Sequence, residues 1–337
     1  MPFRALIAGA GGMGKAWGRN LRDCTETEVV AWVDILPDVA KRAADELGAE
    51  DIYLGDNLIE AIAAVRPDFV VDVTVPESHY NVTLQALNAG VPVLGEKPMA
   101  HSMQAAREMV AASEQSGKLY MVSQSRRYDS RLRAYKKLIH TELGRPGILN
   151  SDFYIGAHFG GFRDEMESPL ILDMAIHTFD QARYLSGCDP LSVYCDEFNP
   201  SWSWYKGDSS ATAIFEMVGG LRYTYRGSWC AEGAPTSWES QWRACGEHGT
   251  ATWDGHGDIL ASVATESNGF LRQTEEKQPE FMDELPVGIA GSLQDFLNAL
   301  KTGATPMGEC HDNIKSLAMV FAATESSRSG KRVNIVY

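Results

Sequence analysis

Short apolar runs alternate with amphipathic segments over the first third of the chain. The apolar, strand-like runs are Phe3 to Ala8, Glu28 to Asp34, Asp68 to Val75, Val91 to Leu94 and Leu119 to Ser123. Between them, segments such as Asp56 to Val65 and Ser78 to Ala89 carry apolar residues at helical spacing. This alternation is typical of βαβ units, whose parallel strands are covered on both faces. The pattern predicts an α/β Rossmann domain, with a doubly wound parallel sheet, over residues 1–124.

The pattern changes after Tyr128. A strand-like run over Leu149 to Gly156 is followed by a helical pattern over Ile171 to Leu185. Apolar and polar residues then alternate as in antiparallel strands over Ala211 to Glu216 and Leu221 to Gly227. We therefore predict an α+β domain over residues 125–337, and two domains suit a chain of 337 residues.

Charge and cysteine usage exclude several classes of protein. A formal net charge of −15 disfavours binding to nucleic acid or to anionic membrane surfaces. The six cysteines are scattered without the close pairs of zinc sites or small disulfide scaffolds, which favours reduced thiols in a cytoplasmic protein without a metal site. No run approaches the roughly 18 apolar residues of a membrane span, and the apolar N-terminus fits a first strand better than a signal peptide.

Tryptophan is concentrated in one part of the chain. Six of the eight tryptophans lie between Trp202 and Trp253. They could stack on a sugar, or they could pack the sheet and a subunit interface. We favour packing, because large aromatic side chains dominate cores and interfaces.

A glycine-rich turn follows the first predicted strand. Gly9, Gly11 and Gly14 form the pattern G-x-G-x-x-G directly before a helical segment. In dinucleotide-binding folds the first glycine permits the tight turn, the second lets the backbone approach a pyrophosphate, and the third lets the helix pack on the strand. A glycine turn that serves only sheet packing is the simpler alternative, but the context of strand, turn and helix favours a dinucleotide site.

Asp34 supports the same interpretation and indicates which dinucleotide binds. It ends the second predicted strand, 20 residues after Gly14, as expected of a carboxylate that binds the adenosine ribose hydroxyls. Its charge would repel a ribose 2′-phosphate, and the following Ile35 and Leu36 supply no arginine. NAD is therefore favoured over NADP.

Further motifs continue through the chain in a characteristic order. They are Thr74-Val75-Pro76 with His79, Glu96-Lys97-Pro98, Ser125-Arg126-Arg127-Tyr128-Asp129, Asp173-x-x-x-His177 and a closing Ser326-x-x-x-Gly330-Lys331. Together they resemble the Gfo/Idh/MocA family of glucose-fructose oxidoreductases and inositol dehydrogenases over essentially the whole chain. The Glu-Lys-Pro tripeptide and the Asp-x-x-x-His helix are the most specific of these elements.

The resemblance implies a fold, a set of site residues and an assembly. It implies a Rossmann domain followed by a large, open, mainly antiparallel sheet, a polyhydroxylated substrate held between the two domains against the nicotinamide, and a homodimer or homotetramer formed through the exposed sheet face. Lys97, Asp173 and His177 match the family's catalytic residues. The cofactor-lining residues we expect are Gly9, Gly11, Gly12, Met13, Gly14, Asp34, Ile35, Thr74, Pro76, His79, Glu96 and Lys97. The substrate-binding candidates are Lys97, Arg127, His158, Arg163, Asp173 and His177.

The three catalytic candidates also make chemical sense without the family. Oxidation of a secondary alcohol removes a hydroxyl proton as hydride leaves carbon, and neutral His177 is suited to accept that proton. Asp173 lies four residues earlier on the same helical face, where it could orient the imidazole, and the Lys97 ammonium could stabilise a developing alkoxide. Each residue alone would more often be structural or solvated, but their combination with a nucleotide fold favours catalysis.

We therefore predict an NAD-dependent dehydrogenase acting on a secondary hydroxyl of a sugar, a cyclitol or a sugar derivative. A redox-neutral glycosidase with tightly held NAD remains an alternative, as does a non-catalytic regulator of the same fold. A short-chain dehydrogenase is excluded because no tyrosine has a lysine four residues later. A zinc-dependent dehydrogenase would need a cluster of cysteine and histidine ligands that the sequence lacks.

Overall fold

A computed structural model describes residues 1–49, 51–267, 269–281 and 285–337. The chain divides into two compact units. The first comprises Met1–Tyr128 and Pro286–Leu317, and the second comprises Asp129–Leu285 and Ala318–Tyr337. Within the described ranges, no helix combines the length and the apolar character needed to cross a membrane.

The first unit is built on a parallel sheet. Its described strands are β1 (Phe3–Ala8), β2 (Thr27–Val33), β3 (Tyr53–Gly55), β4 (Phe69–Asp72), β5 (Val93–Gly95) and β6 (Tyr120–Val122). They lie in the order β3-β2-β1-β4-β5-β6, with every neighbouring pair parallel. The predicted Rossmann architecture is confirmed. The direction of strand order reverses between β1 and β4, which is where ligands bind in such sheets, beyond the carboxyl ends of the strands.

Helices connect these strands. They are α1 (Gly12–Asp23), α2 (Pro37–Leu47), α3 (Leu58–Val65), α4 (Pro76–Asn88) and α5 (Met103–Ser116). A later helix, α9 (Gly288–Thr302), also belongs to this unit, although the sequence prediction assigned residues 125–337 to the second domain. The side chain of Phe296 on α9 is fully buried, and its ring centroid lies 5.3 Å from that of Phe69 on β4. The apolar face of α9 therefore contributes to the core of the first unit.

The second unit contains a larger sheet. Its described strands are β7 (Pro146–Tyr154), β8 (Pro190–Phe198), β9 (Ser210–Met217), β10 (Arg222–Ser228), β11 (Gln241–Gly246), β12 (Gly249–Trp253), β13 (Ile259–Ala264), β14 (Thr274–Lys277) and β15 (Val333–Asn334). The order is β14-β13-β12-β11-β7-β10-β9-β8-β15. Only the β7 and β10 pair is parallel among these neighbours, which confirms the mainly antiparallel sheet.

The helices of the second unit cover one face of this sheet. They are α6 (Ser130–Glu142), the short α7 (Phe162–Glu165), α8 (Ile176–Ser186) and the C-terminal part of α10 (Cys310–Ser329). Phe179 of α8 packs at 4.8 Å from Phe215 of β9 and 5.2 Å from Tyr225 of β10, measured between ring centroids. These buried aromatic contacts fix α8 on the sheet, which matters because α8 carries His177.

The other face of the sheet is partly apolar and exposed. Along β9 the side chains alternate, so that Phe215 is buried and Ile214 is 38% exposed. Tyr194 of β8 lies opposite Ile214 and is also exposed, as are Ile148 and Phe198. This face is the one through which the sequence analysis expects an oligomer to form.

Candidate active site

The glycine turn after β1 has the geometry of a dinucleotide cradle. Gly9 has a φ of +102°, and a Cβ there would lie 2.6 Å from the carbonyl oxygen of Val73. A Cβ on Gly14 would lie 2.2 Å from the carbonyl oxygen of Gly9, so both positions require glycine. Apart from neighbouring backbone, no heavy atom of the described residues lies within 4 Å of a Cβ placed on Gly11 or Gly12, where α1 begins. This open backbone at a helix N-terminus fits a pyrophosphate.

Asp34 anchors the same turn. Its Oδ2 accepts a hydrogen bond from the Ala10 amide at 2.8 Å, and its Oδ1 accepts one from the Leu36 amide at 2.9 Å. Each carboxylate oxygen keeps further capacity to accept, as binding of ribose hydroxyls requires. Ile35 and Met13, two other predicted cofactor contacts, expose apolar side chains, at 86% and 47% respectively.

A buried carboxylate organises the loop that contains Thr74 and Pro76. Asp72 ends β4 and is completely buried. Its Oδ1 accepts hydrogen bonds from the Thr74 hydroxyl at 2.6 Å and from the Thr74 amide at 3.2 Å. Burial raises the pKa of Asp72. Pro76 then starts α4. The sequence analysis did not select Asp72, although an acidic residue at the end of an apolar strand is a usable signal.

Glu96 and Lys97 follow β5 at the carboxyl edge of the parallel sheet. Glu96 Oε1 accepts a hydrogen bond from the indole N–H of Trp17 at 2.7 Å, and Oε2 accepts one from the Lys97 amide at 3.2 Å. Burial raises the pKa of Glu96. The Lys97–Pro98 peptide bond is cis. These contacts give Glu96 a role in fixing the backbone of Lys97, whose half-buried side chain is the catalytic candidate.

Two predicted ligand contacts have interior side chains instead. Arg127 is only 5% exposed, and its Nη1 lies 2.7 Å from Oδ2 of the partly exposed Asp312 in an ion pair of the first unit. His79 is 2% exposed, and its two ring nitrogens face backbone carbonyl oxygens. Protein groups of the first unit therefore hold both side chains, and their roles as ligand contacts stay predictions. The sequence motifs identify the loops that carry Arg127 and His79, whereas the partners and the burial of these side chains are determined by tertiary packing.

In the second unit, Asp173 and His177 lie on consecutive helical segments. The sequence predicts one continuous helix over Ile171 to Leu185, whereas the structure has a π-helical turn, Leu170–Ala175, before α8. Asp173 is in the π-helical turn and His177 is the second residue of α8. Such turns are rare in proteins and are frequent at functional sites.

Arg163 is held against Asp173. Its Nε donates a hydrogen bond to Asp173 Oδ2 at 2.6 Å, with the two side chains 32% and 17% exposed. The guanidinium carbon also lies 5.0 Å from the ring centroid of Phe159 and 4.7 Å from that of Phe162. Arg163 was predicted as a substrate contact, and the structure adds that its guanidinium forms an ion pair with Asp173.

The remaining aromatic residues divide between core and surface. Trp229, Trp242 and Trp253 are buried in the second unit, as the packing interpretation expects. Trp238 is 46% exposed, and its ring centroid lies 6.1 Å from that of Phe153 and 6.2 Å from that of Phe159. His158, another substrate candidate, is exposed and stacks on Trp204 with ring centroids 3.7 Å apart. Its Nε2 lies 2.6 Å from Glu232 Oε1.

One group of potential metal ligands occurs among the described residues. Glu309, Cys310 and His311 bring one ligand atom each within 4.8 Å of one another. His311 Nδ1 lies 2.8 Å from Glu309 Oε1, and its Nε2 lies 2.9 Å from Glu114 Oε1. These contacts raise the pKa of His311, because both carboxylates stabilise the imidazolium. Two carboxylates thus contact the His311 ring, one at each of its nitrogens.

Comparison with known proteins identifies the family. Residues 3–124 match the family model described as the NAD-binding Rossmann fold of the Gfo/Idh/MocA oxidoreductases, and residues 103–252 match the model of the Gfo/Idh/MocA C-terminal domain. The chain is also 33% identical to an inositol 2-dehydrogenase of Pseudomonas syringae pv. syringae, over 98% of this chain and 97% of that protein. The chain belongs to the Gfo/Idh/MocA family. It is an NAD-dependent oxidoreductase, and its first unit is the NAD-binding Rossmann domain.

More distant relatives agree with this assignment. A D-apiose dehydrogenase of Paraburkholderia graminis is 24% identical over 99% of this chain and 90% of that protein. The fold is shared with a crystal structure of an Agrobacterium radiobacter oxidoreductase solved in complex with NAD+, L-tartaric acid and magnesium, with a TM-score of 0.86 and 23% identity over 99% of each chain.

Proposed function

We propose that this Gfo/Idh/MocA protein is a dehydrogenase that oxidises a secondary hydroxyl of a sugar, a cyclitol or a related derivative. The observation that carries the proposal is the Arg163–Asp173 ion pair on the π-helical turn that leads into His177. It supplies an oriented carboxylate four residues before the proposed general base, in a chain that also has an NAD-binding domain. Inositol 2-dehydrogenases and D-apiose dehydrogenases among its relatives support a polyhydroxylated substrate.

The chemistry requires three roles from the protein. NAD, when bound, supplies the hydride acceptor. His177 accepts the proton of the reacting hydroxyl, and the Lys97 ammonium stabilises the negative charge that develops on its oxygen. Asp173, which is paired with Arg163, stabilises the imidazolium that forms on His177.

The glycine turn and Asp34 fit NAD as the bound cofactor. Gly11 and Gly12 leave the backbone open for a pyrophosphate, and the Asp34 carboxylate keeps lone pairs for ribose hydroxyls. The same carboxylate would lie beside the 2′-phosphate of NADP, and like charges at that distance repel. NAD is therefore the cofactor we propose for turnover.

The experiment that tests this function is a substrate screen. Purified protein is incubated with a panel of sugars, cyclitols and sugar acids in the presence of NAD or NADP, with NADH absorbance and mass spectrometry as readouts. We expect one class of polyol to yield NADH and the corresponding ketone or lactone. Consumption of a glycoside without net NADH would replace the proposal with a redox-neutral glycosidase. NAD binding with no turnover of any polyol or glycoside would favour a regulator.

A further inference from the structure

His79 occupies an unusual position in the first unit. It lies in the first turn of α4 and is 2% exposed. Its Nδ1 is 2.8 Å from the carbonyl oxygen of Pro98, and its Nε2 is 3.0 Å from the carbonyl oxygen of Thr74. One imidazole therefore connects the loop after β4 with the segment that follows Lys97.

The hydrogen-bond chemistry determines how many protons this ring carries. A carbonyl oxygen only accepts hydrogen bonds, and neutral imidazole has a single N–H. A neutral ring at this position would bring a nitrogen lone pair against a carbonyl oxygen at hydrogen-bond distance, which is repulsive in a buried site. Both contacts are favourable only if both nitrogens carry protons, that is, if the ring is an imidazolium.

Buried carboxylates supply the balancing negative charge. Asp72 is fully buried and Glu96 is partly buried, and both carboxylates interact electrostatically with His79. Lys97 also interacts with Glu96, and the Tyr120 hydroxyl lies in the field of Asp72. The groups facing His79 are thus predominantly acidic, as a buried cation requires.

We propose that His79 is a buried imidazolium that positions Lys97 and the Thr74 loop relative to each other. It is a positioning residue, since its nitrogens are used by backbone carbonyls. The Thr74 loop is expected to line the cofactor and Lys97 to contact the reacting oxygen. The His79 imidazolium would therefore fix the position of the cofactor-binding loop relative to the catalytic lysine. The effect on turnover rests on the proposed function, whereas the protonation state and the effect on NAD affinity do not.

Nitrogen NMR tests the protonation state directly. The chain has eight histidines, so a protein labelled with nitrogen-15 at histidine gives a tractable spectrum. The His79→Gln variant assigns the His79 signals by their disappearance. At neutral pH, where an unperturbed imidazole is mostly neutral, we expect both ring nitrogens of His79 to give the signature of protonated N–H groups. A spectrum with one protonated and one unprotonated nitrogen would overturn the proposal, and His79→Asn provides the same assignment if His79→Gln folds poorly.

Two conservative variants test the positioning role. In His79→Asn the amide occupies the place of Nδ1 and can still reach Pro98, and in His79→Gln it occupies the place of Nε2 and can still reach Thr74. Each keeps one neutral hydrogen bond and loses the charge. We expect NAD affinity to fall by about tenfold in both, since a charged hydrogen bond contributes on that order. The matched control is His140→Asn, in which the shorter amide takes the place of Nδ1 and a single imidazole contact is lost, from Nε2 to the Leu185 carbonyl oxygen at 2.8 Å, in the second unit.

The turnover measurement separates positioning from a general loss of structure. With a substrate in hand, we expect both His79 variants to lower kcat by about tenfold or more at saturating NAD, because Lys97 is no longer held. Unchanged NAD affinity and unchanged kcat in folded His79→Asn and His79→Gln would overturn the proposal. If no substrate is found, the proposed function fails, while the NMR and NAD titration results still decide the role of His79.

Discussion

Glu197 is a buried acid that should make the stability of the second unit depend on pH. It lies on β8 and is 9% exposed, and its Oε1 has no hydrogen-bond partner among the described residues. Burial raises its pKa to about 7, and the nearby Asp208 and Glu167 carboxylates act in the same direction. A hydrogen bond from Ser168 and the charge of Arg328 oppose this shift without cancelling it.

The direction of the pH effect follows from the raised pKa. The folded state prefers the protonated acid, so its stabilising contribution is complete below about pH 4.5, the unfolded value. It is lost as the pH rises through about 7, where the buried group ionises. A folded pKa about 2.5 above the unfolded one corresponds to about 3 kcal/mol of unfolding free energy. We therefore predict that Glu197→Gln stabilises the second unit by up to about 3 kcal/mol above pH 7 and by little near pH 4.5.

Thermal unfolding between pH 4.5 and pH 8 measures this effect. For a unit of this size, about 3 kcal/mol corresponds to a Tm increase on the order of 5–10 °C for Glu197→Gln at the alkaline end. Asp196→Asn is the matched control, because it removes a charge from the adjacent but exposed position on the same strand. A Tm difference between wild type and Glu197→Gln that is the same at both ends of the pH range would refute the reasoning, as would an equal response in Asp196→Asn.

Three further predictions concern specificity, the acid–base group and assembly. Calorimetry should show that NAD binds more tightly than NADP, by about 1–3 kcal/mol of binding free energy, because the partly buried Asp34 carboxylate repels the 2′-phosphate of NADP. Asp34→Ala should reduce this difference in binding free energy. A wild-type preference for NADP would contradict the prediction. Asp173→Asn should lower kcat and move the acidic limb of the pH–rate profile to lower pH, because the imidazolium formed on His177 loses a charged neighbour; an unchanged profile would remove Asp173 from the mechanism. Light scattering should give a homodimer or homotetramer, and Ile214→Arg on the exposed sheet face should reduce the mass; a strictly monomeric wild-type protein would mean that this face has another role.

The parts of the fold that depend on local sequence were predictable. The strand Phe3–Ala8 is observed with the predicted bounds, since a run of buried apolar residues before a glycine turn is a local signal. Gly9 and Gly14 were identified correctly as positions that require glycine, because backbone conformation and close approach select that residue directly. The three-residue strand β3 was missed, because its Tyr53 to Gly55 segment is too short and too exposed to produce a pattern.

Features that depend on distant contacts were not predictable. Helix α9 belongs to the first unit because its apolar residues pack into a core whose other members lie between Ala5 and Tyr128. Hydrophobic periodicity predicts the helix but does not indicate which of the two cores it packs against. The sequence gives the four-residue spacing of Asp173 and His177 but not the π-helical turn or the partner Arg163, since both arise from packing. Arg127 and His79 show the same limit, because a motif identifies a loop while the side-chain partners come from elsewhere in the fold.

The central claim is that Lys97, Asp173 and His177 act on the substrate after NAD has bound. The most direct test is to measure NAD affinity and kcat for His177→Ala and Lys97→Ala with the substrate found in the screen. The account predicts nearly unchanged NAD affinity and a loss in kcat of roughly 10²–10⁴-fold for His177→Ala, the usual contribution of a positioned acid–base group, with a similar loss for Lys97→Ala. Full turnover in either variant would contradict the catalytic assignment, even though the fold and the NAD-binding domain would stand.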